Sequence, residues 1–174
     1  MKKLLIILFI PFIVNSQQIS IMDAVVLKEG SDADCIEVEE FWSKIHEDII
    51  SQGNKVSWAI WKRLPGEAIT IDSKPADYFI FNNYESQEQY EASGDIDYIA
   101  IAQRVHGISK RKAEKMIDSS FDPRETTRSY TLSIQAQAVA TDFNPTAGLV
   151  CSISLMQQKN DDYESFEKEV FKDQ

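Results

Sequence analysis

Residues 56–64 read VSWAIWKRL and residues 77–84 read DYFIFNNY, and the way their side chains alternate decides the fold. Successive side chains of a strand point to opposite faces. Trp58 and Ile60 therefore share one face, with Ala59 and Trp61 on the other; Tyr78 and Ile80 likewise oppose Phe79 and Phe81. A sheet built from these strands is apolar on both sides. It needs two covers, and helices packed on one face supply only one of them.

Outward from this pair, Ile21–Leu27 is a further strand, followed by the turn Glu29-Gly30-Ser31-Asp32, whose oxygen-bearing side chains suit a helix start. Val38, Trp42, Ile45 and Ile49 recur at spacings of three and four, which predicts an amphipathic helix that Gly53 ends. Beyond residue 84, Ser86 and Gln89 form a capping-box pair at the start of a short helix. Helical stretches over Ile96–His106 and Ser109–Ser119 follow, and Asp122-Pro123 breaks the run. Tyr130, Leu132, Ile134, Ala136 and Ala138 then alternate with polar residues as a strand with one core face. The order strand, helix, strand, strand, helices, strand is the ferredoxin-like βαββαβ order, an α+β antiparallel sheet with helices on one face.

The segment Val25–Trp42 returns weakly as Ile153–Val170, with Leu27, Asp34 and Glu39 matched by Leu155, Asp162 and Glu167. Its shared content is a strand, a polar turn and a helix start. A strand over Leu149–Met156 and a helix over Tyr163–Phe171 are expected after the linker Asp142-Phe143-Asn144-Pro145. The predicted organisation is a signal peptide over 1–16, a ferredoxin-like domain over 20–140, and the start of a second, truncated repeat over 148–174. The alternative is a complete chain whose last strand and helix exchange across a dimer.

Lys2 and Lys3 precede the apolar run Leu4–Val14, and Ser16 follows, the pattern of a secretory signal. The run is shorter than the roughly 18–20 residues that span a bilayer. Export is the expected fate, with no membrane partner after cleavage. The chain's formal charge of −10 becomes more negative once Lys2 and Lys3 are removed, which disfavours nucleic acid as a partner. Cys35 and Cys151 are the two cysteines, neither in a CxxC pair. Export permits a bridge between them without requiring one.

This topology, with its two-sided apolar sheet, resembles the dimeric α+β barrel superfamily, in which a second ferredoxin-like unit covers the open sheet face and a cavity forms between sheet and helices. Glu39, Trp42, Ile45-His46, Gly53 and Trp58 resemble a block in uncharacterised exported bacterial proteins of this fold. The superfamily includes cofactor-free antibiotic-biosynthesis-type monooxygenases, haem-degrading enzymes and peroxidase-like haem proteins. None of their catalytic motifs maps onto this sequence residue by residue, so the resemblance implies a fold and a partner of the same kind.

Among chemical candidates, His46 lies one helical turn from Trp42 beside the apolar stripe. An imidazole there could ligate haem iron or a divalent metal, or act as a general base. The plainer reading is a half-exposed ring bonded to a backbone carbonyl or to Glu47; if His46 instead borders a ligand cavity, His46→Ala is expected to abolish ligand binding and leave thermal stability nearly unchanged. His106, before Gly107, suits a helix end, and a metal site would need both histidines to converge. At most one of Trp58 and Trp61 lines a cavity. Asn82 and Asn83 end an apolar strand and could orient a ligand. Lys110-Arg111-Lys112 and the acidic Glu37, Glu39 and Glu40 read as solvated helix faces.

The candidate site is His46 as catalytic residue with Trp42 and Trp58 as ligand-binding residues, no metal site, and no specified cofactor. The expected function is binding of a small, mostly apolar ligand; an enzymatic version would be cofactor-free or haem-assisted oxidation. The competing function is a non-catalytic interaction module whose apolar sheet face meets a homodimer or tandem-repeat partner.

Overall fold

A computed structural model describes residues 17–66, 69–134 and 148–153. The signal segment, the strand end beyond residue 134 and the expected helix Tyr163–Phe171 lie outside the described residues. So does Leu149–Met156 beyond residue 153; over 149–153 the backbone forms no strand ladder.

The first strand, β1, spans Ile19–Leu27, and helix α1 spans Asp32–Ser51. Ser31 precedes the helix without capping it by its side chain. Asp32 instead reaches across to the sheet, accepting from Tyr78 Oη at 2.8 Å and pairing with Lys62 at 2.8 Å. Gly53, at φ 74°, ends the helix in the left-handed conformation that an L side chain adopts only under strain. Strand β2 follows at Ser57–Lys62.

Between β2 and the next long strand, the chain folds a hairpin of two-residue strands, β3 (Thr70–Ile71) and β4 (Lys74–Pro75). Its turn residues Asp72 and Ser73 have φ of 50° and 69°, the positive values of a type I′ turn. Strand β5 spans Tyr78–Tyr84; helices α2 (Gln87–Ala92), α3 (Tyr98–His106) and α4 (Lys110–Asp118) follow; β6 spans Arg124–Ser133. Half of the capping box at α2 forms, Ser86 Oγ accepting from Gln89 N, while Gln89 Oε1 accepts from the N–H of Glu85, one residue before the cap.

The four long strands are ordered β2-β5-β1-β6 with every neighbour antiparallel, the ferredoxin-like arrangement. Register places Trp61 opposite Phe79 and Ile60 opposite Ile80, so the faces inferred from alternation are the observed ones. Strand β6 begins six residues before Tyr130, the first residue of the expected strand. Arg124–Arg128 are polar because β6 is an edge strand; backbone pairing to β1, rather than an apolar stripe, makes them a strand.

Helix α1 lies over the helix-side face, where Ile45 and Ile49 pack with Phe41 and the α3 residues Ile101 and Ala102 in a closed core. The opposite face carries Met22, Ala24, Val26 and Phe79, and it is only partly open. The hairpin arm crosses it, placing Ile71 and Ala76, 1% and 0% exposed, on this apolar layer. Lys74–Glu125 and Arg128–Asp72 ion pairs tether the arm to β6. Ile153 packs against the same layer. A second cover for the sheet is thus supplied in part from within the chain. Trp61, Phe81, Tyr130 and Leu132 remain half-buried around it.

Ser73 pays a conformational cost that glycine would not, since left-handed backbone disfavours a Cβ by roughly 1–2 kcal/mol. Ser73→Gly is expected to raise stability by about 1 kcal/mol, read as a higher urea midpoint at unchanged slope.

Candidate functional site

Between the helix-side sheet face and the helices lies a cleft of about 260 Å³. Its walls include Trp42 and His46 from α1, Trp58 from β2 and Tyr98 from α3, so the helical ridge and the outer strand identified by periodicity meet here. The three rings form one stack. His46 lies 5.7 Å from Trp42 and 5.1 Å from Trp58, centroid to centroid, at 26° in both cases. The Trp42 indole is fixed from behind, donating through Nε1 to Ser120 Oγ at 2.8 Å and meeting Tyr98 edge-on.

His46 is buried, 9% exposed, which corrects the expectation of a half-exposed ring held by a carbonyl or by Glu47. Its partner is Lys55. Lys55 Nζ donates to His46 Nδ1 at 3.0 Å and to Asn82 Oδ1 at 2.7 Å, and the lysine is itself only 3% exposed. An ammonium has no acceptor capacity, so the contact fixes the neutral imidazole with its proton on Nε2. Burial, and then the Lys55 charge, lower the His46 pKa to about 3. Burial lowers that of Lys55 to about 8.

This tautomer presents an N–H to the cleft. Ligation of haem iron or of a divalent metal through Nε2 needs a lone pair there, and a general base needs the same, so neither role fits His46 as it is held. His106 does not join it: the ring stacks on Phe41 at 4.5 Å and its Nε2 meets Phe41 O at 2.9 Å. Among the described residues no group of three or more His, Cys, Asp or Glu could hold a metal ion. Cys35 and Cys151 are free, one buried and one exposed; burial pushes the Cys35 thiol up to about 11 and keeps it inert.

At the far end of the cleft Glu39 pairs with Arg124 at 2.8 Å, their side chains 5% and 11% exposed. Glu39 is therefore no part of a solvated acidic face. Burial raises its carboxyl pKa, with the Arg124 charge opposing that shift. Arg124 lies over the Phe121 ring at 5.0 Å, and its Nε is buried without a partner among the described residues. Phe121, 65% exposed, stands at the mouth. Of the two asparagines, Asn82 lines the cleft while Asn83 donates to Ser57 Oγ. Trp61 lies on the opposite sheet face.

Sequence reasoning missed Lys55 and Arg124 and took Glu39 for a solvated acid. Lys55 follows Gly53-Asn54 as any loop lysine would, and Arg124 follows the Pro123 break. One clue was present: Lys55 is the lone charge immediately before an apolar strand. A groove of about 330 Å³ also lies outside α1, but its titratable groups, Asp34, Glu37 and Asp122, are exposed acids that converge on nothing. The cleft combines ring walls with buried polar groups, and it is the better site.

No protein-family model and no curated protein matches the sequence. Among solved structures, the chain is similar to a dimeric ferredoxin-like protein of unknown function from Thermobifida fusca, at 12% identity over 68% of this chain and 92% of that one, with a TM-score of 0.45. It is similar to a cofactor-independent oxygenase from Streptomyces nogalater, at 6% identity over 69% and 95%, TM-score 0.44. It is also similar to the hydroxynitrile lyase of Passiflora edulis, at 10% identity over 72% and 99%, TM-score 0.47. At such identities no activity carries over. The strand order and the helices on one face are those of the ferredoxin-like fold.

Proposed function

We propose that the chain binds a small, mostly apolar, flat molecule in the cleft between sheet and helices. The Trp42–His46–Trp58 stack bordering that cleft is the observation that carries this reading. Rings held edge and face by neighbours offer a rigid apolar wall whose ordering cost is met in folding rather than in binding. The volume suits one or two fused rings, below the 300–1,000 Å³ usual for drug-sized ligands. His46 would donate its Nε2–H to an oxygen of the ligand. In an enzymatic version it would polarise that oxygen in a cofactor-free oxidation. Secretion through residues 1–16 belongs to the same proposal.

Titration with naphthalene-1-methanol, followed by tryptophan emission, tests it. Quenching is expected to survive Trp61→Phe and to be lost in the Trp42→Phe/Trp58→Phe double variant. The reverse pattern would move the ligand to the opposite face, and no quenching at millimolar probe would remove the binding function.

One observation favours a second reading. Trp61, Phe81, Tyr130 and Leu132 stay half-buried beside the hairpin arm, which leaves an apolar surface for a homodimer or tandem-repeat partner. This surface and the cleft lie on opposite faces, so the two readings are compatible.

A further inference from the structure

Among the described residues, Lys55 is a buried cation without a counter-charge. It joins no ion pair among them, although charged side chains are seldom buried unless paired. Its two hydrogen-bond partners, His46 Nδ1 and Asn82 Oδ1, are neutral acceptors. An ammonium carries three donors, so one is left over, and Lys55 lines the cleft. The Tyr84 ring, 5.5 Å from Nζ, supplies a weak π contact and no lone pair.

The second cation of the cleft behaves differently. Arg124 is offset by Glu39, and the remaining carboxylate, Asp23, accepts from Ser129 Oγ on the neighbouring strand. Burial lowers the Lys55 pKa, and among the described residues no ion pair joins Lys55 to either carboxylate. The Lys55 end of the cleft therefore holds a spare ammonium donor and, from the same contact, an outward Nε2–H on His46. Two donors, one of them on an ammonium outside any ion pair among the described residues, border a space lined by rings.

Building on the proposed binding function, we infer that the ligand is a small flat anion. Its single acidic oxygen group takes the spare donor of Lys55 and the Nε2–H of His46, while its rings lie against the Trp58 wall. Lys55 is the specificity-determining residue, since it separates anions from neutral molecules of the same shape. A charge-assisted bond in a largely desolvated setting is about twice as strong as a neutral one, which sets the size of the discrimination.

The test compares 1-naphthoate with naphthalene-1-methanol, which share ring shape and differ in charge. The folded wild-type chain is expected to bind the carboxylate at least ~10-fold more tightly at low salt, a difference of about 1.4 kcal/mol. Lys55→Met should abolish that preference, with a cooperative thermal melt reporting that the variant is folded. If Lys55→Met does not fold, the wild-type comparison decides alone. Equal wild-type affinities for the two probes would overturn the inference and leave the cleft reading intact. Failure of both probes to bind would overturn both.

Discussion

Arg124→Ala is expected to destabilise the chain by about 3–5 kcal/mol, because it strands the Glu39 carboxylate in a site where that side chain is 5% exposed. Roughly 10–20 °C of thermal midpoint would be lost, enough to expose a marginal domain. The cost is the unpaired charge, not the absent contact. Glu39→Leu combined with Arg124→Met removes both charges at similar volume and should recover most of the loss. The pH dependence has a definite sign. Glu39 has a pKa raised by burial, so its ionisation opposes folding as pH rises through the folded value, and removing the guanidinium raises that value further. The Arg124→Ala deficit should therefore shrink between pH 7 and pH 5 in thermal melts. A deficit constant across that range, or one that the double variant does not relieve, would contradict the pairing.

The second large effect concerns His46. Truncating it to alanine opens a void between two indoles and leaves Lys55 with Asn82 alone, for a loss of about 2–4 kcal/mol. Near-unchanged thermal stability, expected from the sequence for a ligand-binding His46, does not suit a ring only 9% exposed. His46→Phe keeps the stack and should recover part of this. It should also change the response to acid. The folded pKa of His46 is about 3, against 6.5 for the ordinary group, so on acidification the unfolded chain takes the proton first. The stability that neutral His46 contributes is full above pH 6.5 and declines between 6.5 and about 3, by about 2–3 kcal/mol at pH 4.5. Urea unfolding of wild type and His46→Phe at pH 7 and pH 4.5 isolates this slope, since other carboxylates act on both proteins. Parallel declines would mean that His46 is not buried neutral.

The parts of the molecule with a strong local pattern were legible in the sequence. Trp58, Ile60, Tyr78 and Ile80 alternate with Trp61, Phe79 and Phe81, and the period of two fixes which residues share a face before any pairing is known. The ridge containing Trp42 and His46 follows from helical spacing in the same way. The hairpin arm was not legible, because two-residue strands have no period; Ile71 is one apolar residue between polar ones, and only tertiary contact makes it core.

The cleft divides along the same line. Its aromatic wall comes from elements with strong periodicity, whereas its charges come from long-range encounters. Glu39 and Arg124 lie on α1 and β6, and Lys55, in the loop before β2, meets Asn82 on β5. No spacing rule joins such pairs. Lys55 also determines what His46 can do, since the ammonium on Nδ1 turns a general-base candidate into a hydrogen-bond donor. Reading the histidine without the lysine gives the right position and the wrong chemistry.

Long-range proton–nitrogen correlation spectra of the two imidazoles, recorded from pH 7 to pH 4 with and without 1-naphthoate, test the heart of this account. His46 should stay neutral throughout with its proton on Nε2, and its Nε2 resonance should move on adding the probe while that of His106 does not. Titration of His46 near pH 6.5, a proton on Nδ1, or indifference of Nε2 to a bound probe would contradict the donor-lined cleft.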